Sequence, residues 1–311
     1  MTAPRLEPLS PADGGSRPLV SIVMPTWRRA HLIAETIETL LRQTCGDFEL
    51  LVQDDASPDD TGAVVARLSD PRIRYARNAT NLGMPGNVNA AIARTRGTYV
   101  LVCHDHDLYE ATLVKEMVAL FEAAPGLAYV HSGVRVVDQA GAPAGRVFVG
   151  PYARVTDGRA WSRFMLTRFD SPVCADSMVP RRLYEAAGLY DPDFGFVSDV
   201  EMWIRLGLHG DVGYLATPLI AVREREAGHM YFDRRWEIIE TVIRILKTHH
   251  GRLHRGTWPS VRLQARIEAY LLRTLASAVK HGGPAEVRKA RPHLRRSSSV
   301  VCRAVGALVP A

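Results

Sequence analysis

Two apolar runs that stop on aspartates constrain the fold of this chain more than any other feature. Leu50-Leu51-Val52-Gln53 leads into Asp54-Asp55-Ala56-Ser57-Pro58-Asp59-Asp60-Thr61. Some fifty residues later Val100-Leu101-Val102-Cys103 leads into His104-Asp105-His106-Asp107. Short apolar runs with β-branched members suit strands buried on both faces. In an open α/β sheet the ligand crevice lies outside the carboxyl ends of such strands. Asp54, Asp55, Asp105 and Asp107 are therefore expected on one rim of one sheet. Carboxylates gathered in this way repel unless a cation or hydrogen-bond donors compensate. Hard oxygen ligands suit Mg²⁺ or Mn²⁺ bound together with a phosphate-bearing substrate.

The flanking sequence supports a parallel sheet. Strands are expected at Leu19 to Met24, Phe48 to Gln53, Ile73 to Ala76 and Tyr99 to Cys103. Helices are expected between them, at 30–43, after a cap at Asp59 or Asp60, and at 85–94. Ile33, Ile37, Leu40 and Leu41 recur at helical spacing and mark one buried face. Strand and helix alternating at short intervals argue a parallel sheet with helices on its faces. Beyond Asp107 the pattern changes. A helix is expected near 113–121, a strand near 129–137 and a hairpin return at 146–149. Helices are expected at 161–167, 182–187 and 200–208, and from Trp236 onward the chain reads as helical. Leu263, Ile267, Leu271, Leu275 and Val279 form one stripe of a late helix.

The expected organisation is a loose arm over 1–17, an α/β domain over 18–235 and a helical extension over 236–311. The α/β domain divides into halves at 18–107 and 108–235. Charge follows the same division. Residues 241–311 hold 14 Lys or Arg against 2 Asp or Glu, whereas the remainder holds 25 against 31. A basic tail on a mildly acidic body points to a polyanionic partner such as an anionic membrane surface. Features of nucleic-acid recognition are missing, and no nucleic acid is expected as a partner. Four scattered cysteines argue against a disulfide framework, and the N-terminus lacks a signal-peptide layout. A cytoplasmic protein is the expectation; the basic tail is either a helical cap with its charges solvated or a peripheral contact with the inner face of the membrane.

Each candidate site residue has a plainer explanation beside the chemical one. Asp54 and Asp55 fit an ordinary turn after a strand, or they hold a nucleotide. In an extended segment Asp105 and Asp107 would share one side and His104 and His106 the other. The two carboxylates would then hold one divalent cation, with a zinc site built on the histidines as the alternative. Asp199 stands in Ser198-Asp199-Val200-Glu201-Met202-Trp203-Ile204-Arg205. It is either a helix N-cap or a general base. His229 is either a loop histidine or a further metal ligand. Gly-x-Gly-x-x-Gly, Walker and Gly-x-Ser-x-Gly motifs are absent from the sequence, which removes the usual dinucleotide, NTPase and hydrolase classes.

In order along the chain, these pieces resemble the family 2 inverting glycosyltransferases of the GT-A fold. The carriers are Val23-Met24-Pro25-Thr26-Trp27-Arg28, Gln43-Thr44, Asp54-Asp55-Ala56-Ser57-Pro58-Asp59-Asp60-Thr61, Asn81-Leu82-Gly83 with Asn89, Gly97, Asp105-His106-Asp107, and Gly188-Leu189-Tyr190-Asp191 with Ser198-Asp199 and Trp203-Ile204-Arg205. The chain departs from the family pattern at Arg28, where Asn is usual, at the histidines of the metal motif, and at Ser198, where Glu is usual. The resemblance implies a GT-A-like nucleotide-binding sheet flanked by helices. It implies Pro25, Thr26, Asp54 and Asp55 on the nucleotide, a divalent metal (Mn²⁺ or Mg²⁺) on Asp105 and Asp107, and Asp199 as the base. The implied reaction moves a sugar, with inversion, from a nucleotide-sugar donor to a saccharide or lipid-linked acceptor in cell-surface polysaccharide or glycolipid synthesis. A metal-dependent nucleotidyltransferase and a non-catalytic sugar-nucleotide-binding scaffold are the alternatives.

Overall fold

The structure is a computed structural model that describes residues 17–168, 171–173, 176–224, 235–253, 259–281, 283–296 and 300–308. The N-terminal arm, apart from residue 17, and His229 lie outside the described residues. The chain divides into two compact units. One is drawn from Met1–Met165 and Asp170–Glu226, the other from Leu166–Phe169 and Ala227–Ala311.

The first unit is built on a ten-stranded sheet. Its first half alternates β1 (Val20–Thr26), α1 (Ile33–Leu41), β2 (Phe48–Asp54), α2 (Thr61–Ala66), β3 (Ile73–Arg77), α3 (Gly83–Ile92) and β4 (Tyr99–Val102). β1 runs parallel to both β2 and β4, and β2 runs parallel to β3. Ile22 stands in register with Leu50 on one side and Leu101 on the other, and all three are fully buried. Each such side chain contributes about 1.5–3 kcal/mol through burial. α1 lays Ile33, Ile37 and Leu40 on the same core, as their spacing predicts, while Leu41 packs against its edge. Gly97 precedes β4 at a close approach. A Cβ there would meet the Ser21 nitrogen at 2.5 Å and the Val20 carbonyl carbon at 2.8 Å, so only glycine lets β4 come alongside β1.

The second half adds β5 (Leu108–Tyr109), α4 (Leu113–Ala123), β6 (Leu127–Val137), β7 (Pro143–Phe148), β8 (Val155–Thr156), α5 (Gly158–Arg168), β9 (Ser177–Pro180), α6 (Arg181–Ala187), a 3-10 turn (Pro192–Val197), α7 (Ser198–Leu206) and β10 (Asp211–Arg223). The strand order is β3-β2-β1-β4-β9-β6-β10-β5. β9 enters antiparallel between β4 and β6. β9 and β10 are absent from the sequence expectation. β10 is long but contains Pro218, which reads as a strand breaker. In the sheet Pro218 sits at a register shift against β6, where a missing N–H is tolerated.

The second unit is helical among its described residues: α8 (Arg235–Leu253), α9 (Pro259–His281), α10 (Gly283–Arg296) and α11 (Val300–Leu308). Its buried apolar residues include Trp236, Ile239, Leu246, Ile267, Leu271, Leu294 and Cys302. The expected stripe of α9 is buried at Ile267 and Leu271, but Val279 near its end is 62% exposed. No helix among the described residues is long and apolar enough to cross a membrane.

Candidate active site

The parallel register brings the carboxyl ends of β1, β2 and β4 to one rim. Thr26, the last residue of β1, pairs with Asp54, the last of β2. The loop after β1 is tied to the loop after β2 by three backbone donors. Arg28 N–H donates to Ser57 Oγ at 2.9 Å, Arg29 N–H to Thr61 Oγ1 at 3.1 Å, and Ala30 N–H to Asp59 Oδ2 at 3.2 Å. Arg28 and Ala56 hold left-handed backbone at φ 59° and 58°, a costly conformation for non-glycine residues that loops over a binding rim often contain. Pro25 lies within β1, and the Thr26 hydroxyl is buried beside Asp105 with no hydrogen-bond partner within ordinary distance among the described residues.

The two aspartates after β2 are occupied by the protein itself. Asp54, fully buried, accepts from Ser57 N–H at 2.9 Å, from the Tyr75 hydroxyl at 2.6 Å and from Arg77 at 3.4 Å. Burial, reinforced by Asp54, pushes the Tyr75 phenol up to about 12. Asp55 accepts from Asn78 Nδ2 at 2.8 Å, Leu82 N–H at 2.8 Å and Gly83 N–H at 3.0 Å. The last two donors belong to the exposed start of α3, so Asp55 satisfies a helix N-terminus from outside that helix.

After β4 the chain does not stay extended. It leaves the sheet at Val102 and bends at Asp105 and His106, so the expected alternation of sides fails. His104, His106 and Asp107 instead gather, with ligand atoms within 4.8 Å of one another. The two imidazoles stack at 5.3 Å, with planes 6° apart. His104 Nδ1 lies 3.0 Å from Asp107 Oδ2. Asp105 turns elsewhere and pairs with His106 Nδ1 at 2.9 Å and Arg29 Nε at 3.4 Å. The grouping closest to a metal site therefore includes Asp107 and both histidines, without Asp105.

Electrostatics bind this cluster together. Burial works against ionisation of Asp107, but His104 outweighs it and holds the carboxyl below the usual carboxylate range. Burial likewise disfavours a charged His104. The carboxylates of Asp176, Asp107 and Asp105 overcome it and raise the imidazole to about 10. Asp176 itself is pushed up to about 6, first by burial and then by Asp107, with His104 opposing.

Two residues of this site have no motif to betray them. Asp176 precedes β9 and accepts from His104 N–H at 3.1 Å. Arg223, the last residue of β10, donates its N–H to Asp107 Oδ1 at 2.8 Å. Its guanidinium donates to the carbonyls of His106 at 2.8 Å and Gln139 at 2.7 Å, and to Glu35 at 2.8 Å. Arg223 thereby holds the bent loop against the sheet. Its only sequence signal is a charge at the end of an apolar run, and Pro218 obscures that run.

Asp199 lies in the first turn of α7. The N-cap position is Val197, and Asp199 Oδ1 accepts from Val200 N–H at 2.7 Å within that first turn. Trp203, one turn later on the same face, donates its indole N–H to Ser177 Oγ at 3.1 Å, next to Asp176. Arg205 is buried and pairs with Glu201 while donating to the carbonyls of Ala187, Gly188 and Leu189. Asn89 of α3 clasps the backbone of Tyr190 through both its N–H and its carbonyl, at 2.9 and 2.7 Å. These contacts fasten the segment carrying Asp199 to the sheet and to α3.

Residues 21–164 match the family model described as Glycosyl transferase family 2. The putative colanic acid biosynthesis glycosyl transferase WcaA of Escherichia coli (strain K12) is 37% identical over 94 residues, 30% of this chain and 34% of that protein. The UDP-Glc:alpha-D-GlcNAc-diphosphoundecaprenol beta-1,3-glucosyltransferase WfgD of Escherichia coli is 33% identical over 102 residues, 33% of this chain and 40% of that protein. The chain thus spans well under half the length of these two relatives. The crystal structure of S. aureus TarS 1-349 in complex with UDP-GlcNAc superposes with a TM-score of 0.63 at 17% identity, over 89% of this chain and 81% of that one. The fold is GT-A-like: a central mixed sheet flanked by helices, with a helical C-terminal region.

Proposed function

We propose that this chain, whose residues 21–164 belong to glycosyl transferase family 2, transfers a sugar with inversion from a nucleotide-sugar donor to an acceptor hydroxyl. The observation that carries this reading is the joining of three elements around one rim. The loops after β1 and β2 are laced together, His104, His106 and Asp107 cluster after β4, and α7 is tied through Trp203 to Ser177 beside Asp176. Relatives named for colanic acid biosynthesis and for a diphosphoundecaprenol-linked acceptor support cell-surface polysaccharide or glycolipid synthesis as the setting.

The donor set fits a divalent cation. Two imidazoles and one carboxylate suit a first-row transition ion such as Mn²⁺ better than Mg²⁺, which prefers all-oxygen shells. Such an ion, held by His104, His106 and Asp107, would neutralise charge on the departing diphosphate. Asp105 and Arg29 are then the second layer, orienting His106 and contributing positive charge toward the nucleotide side. Pro25, Thr26, Asp54 and Asp55 shape the nucleotide pocket. Asp54 and Asp55 do so chiefly by building its walls, because their oxygens already accept from protein donors. Asp199 takes the proton of the acceptor hydroxyl as it attacks the anomeric carbon from the face opposite the leaving group. General-base assistance of this kind contributes roughly 10²–10⁴-fold.

The basic residues of 241–311 would add an electrostatic contact with anionic lipid near a lipid-linked acceptor. Each engaged Lys or Arg contributes about 1 kcal/mol. Salt-sensitive co-sedimentation with anionic vesicles, absent with neutral ones, is the expected result, and equal behaviour toward both refutes it.

The test of the central reading is a screen of nucleotide-sugars by thermal shift, followed by donor turnover with and without Mn²⁺. A donor that stabilises the chain and is consumed only with metal supports metal-dependent transfer. Stabilisation without turnover under any metal and acceptor would indicate a binding scaffold, and release of diphosphate from a nucleoside triphosphate a nucleotidyltransferase.

A further inference from the structure

His131 of β6 has no exposed surface, and neither of its ring nitrogens has a hydrogen-bond partner among the described residues. His104 and His106, by contrast, both rest on aspartates. Aromatic rings pack around His131. The centroids of Tyr214, Trp161, Tyr129 and Tyr152 lie 4.9, 5.3, 6.2 and 6.5 Å from its own. Tyr214 comes from β10, Trp161 from α5, Tyr129 from β6 itself and Tyr152 from the coil between β7 and β8. On β9 the residue in register with His131 is Ser177, whose hydroxyl accepts from the Trp203 indole at 3.1 Å. Phenol, indole and hydroxyl groups are all uncharged in the acid range. No carboxylate pairs with the imidazole among the described residues.

Such a box suits a neutral imidazole and not an imidazolium. A buried charge needs an opposite charge or water around it. Ring faces attract a cation weakly, which does not replace the lost hydration. Burial holds the imidazole down at about 3, whereas a histidine in an unfolded chain titrates at about 6.5. Between those values the folded form binds fewer protons. The closed box is therefore at full stability above about pH 6.5 and loses it as pH falls. Tyr129, Trp161 and Tyr214 are 0%, 2% and 4% exposed, while Tyr152 is half-buried. The coil that carries Tyr152 hangs on the box. Gly150 N–H donates to the Tyr214 hydroxyl at 2.9 Å, and Tyr214 N–H donates to the Arg154 carbonyl at 2.9 Å. Tyr152 is thus the ring that can leave without dismantling the sheet.

We propose that His131 makes the coil over residues 149–154 an acid-released flap. A proton from solvent gives the ring a charge that the closed box does not hold. Tyr152 then leaves, water reaches the imidazolium, and the coil detaches from Tyr214 while the parallel core stays folded. The proposal does not rest on the transferase reading, because neither His131 nor the rings around it belong to the rim that carries His104 and Asp107.

Amide exchange measured by NMR on the full chain, normalised to the intrinsic rate at each pH, tests it, together with a titration of the histidine Cε1–H signals. The variants are His131→Phe, which fills the box without titrating, and His131→Gln, a second neutral replacement. In the wild type, protection of the Gly150 and Tyr214 amides should fall about tenfold per unit between about pH 6 and about pH 5. In the variants it should stay flat over that range. Protection in β1, β2 and β4 should respond to pH alike in wild type and variants. The His131 signal, identified by its loss in the variants, should titrate well below about 6.5. That signal is read on the wild type, so it decides the matter even if a variant fails to fold. Titration at about 6.5 or above with the coil still protected would mean that the rings hold the imidazolium, and it overturns the proposal. Equal loss of protection at Gly150 in wild type and variants, or a His131-dependent loss that spreads through β1, β2 and β4, overturns it as well.

Discussion

Replacing Asp55 with alanine should destabilise the first unit before it affects any ligand. Asp55 Oδ1 accepts from Asn78 at 2.8 Å and Leu82 N–H at 2.8 Å, and Oδ2 accepts from Gly83 N–H at 3.0 Å. A hydrogen bond to a charged acceptor contributes about 1.5–3 kcal/mol. The three do not add fully, because Leu82, at 51% exposed, lies where its N–H regains water once the carboxylate is gone. A loss of about 3 kcal/mol remains. With a urea m-value of about 3 kcal/mol/M, the unfolding midpoint of this unit should fall by about 1 M. Amide exchange over residues 82–92 should accelerate, since α3 loses the group that satisfies its first turn. Asp55→Asn keeps one acceptor oxygen and should lose roughly half as much. Urea unfolding by circular dichroism, paired with nucleoside diphosphate titration, measures both effects. An unchanged midpoint and unchanged α3 exchange, together with lost nucleotide affinity, would refute the reasoning. In that event the carboxylate serves the ligand and not the chain.

Three further outcomes are expected. Asp107→Ala should abolish Mn²⁺-dependent transfer, whereas Asp105→Ala should retain part of it, because only Asp107 clusters with both imidazoles; Mn²⁺ titrations of activity that rank the two the other way would contradict this. Asp199→Asn should lower kcat by about 10²–10⁴-fold with donor affinity and melting temperature nearly unchanged, and a lower melting temperature with kcat intact would make Asp199 a purely structural group. Metal binding should be pH-linked. His104 is held protonated to about pH 10, since Asp176 and Asp107 outweigh its burial, and it must lose that proton to become a ligand. Mn²⁺ affinity should therefore climb about tenfold per unit between about pH 7 and about pH 9, with a proton released on binding. A flat profile there would mean that His104 is not a ligand.

What the sequence by itself determined is local and periodic. β1, β2, β4, α1 and α3 follow from apolar runs and helical spacing, and those signals survive folding because the parallel core buries the residues that carry them. The runs ending at Asp54 and Asp107 likewise identify the rim, since parallel strands deliver their carboxyl ends to one side whatever follows. The tertiary structure decided which atoms meet there. An extended strand would have put Asp105 beside Asp107, but the chain bends after Val102, and Arg223 and Asp176 hold the bend. Arg223 arrives from 116 residues away and Asp176 from 72, on β10 and just before β9, the two strands that the sequence pattern conceals. β9 is four residues long, and Pro218 interrupts β10, so neither presents enough regular alternation to be read. The same distance in sequence hid the division of labour among the carboxylates. Whether Asp55 faces a ligand or caps α3 depends on where Leu82 and Gly83 lie in space, and pairing across 27 and 28 residues leaves no periodic trace in the chain.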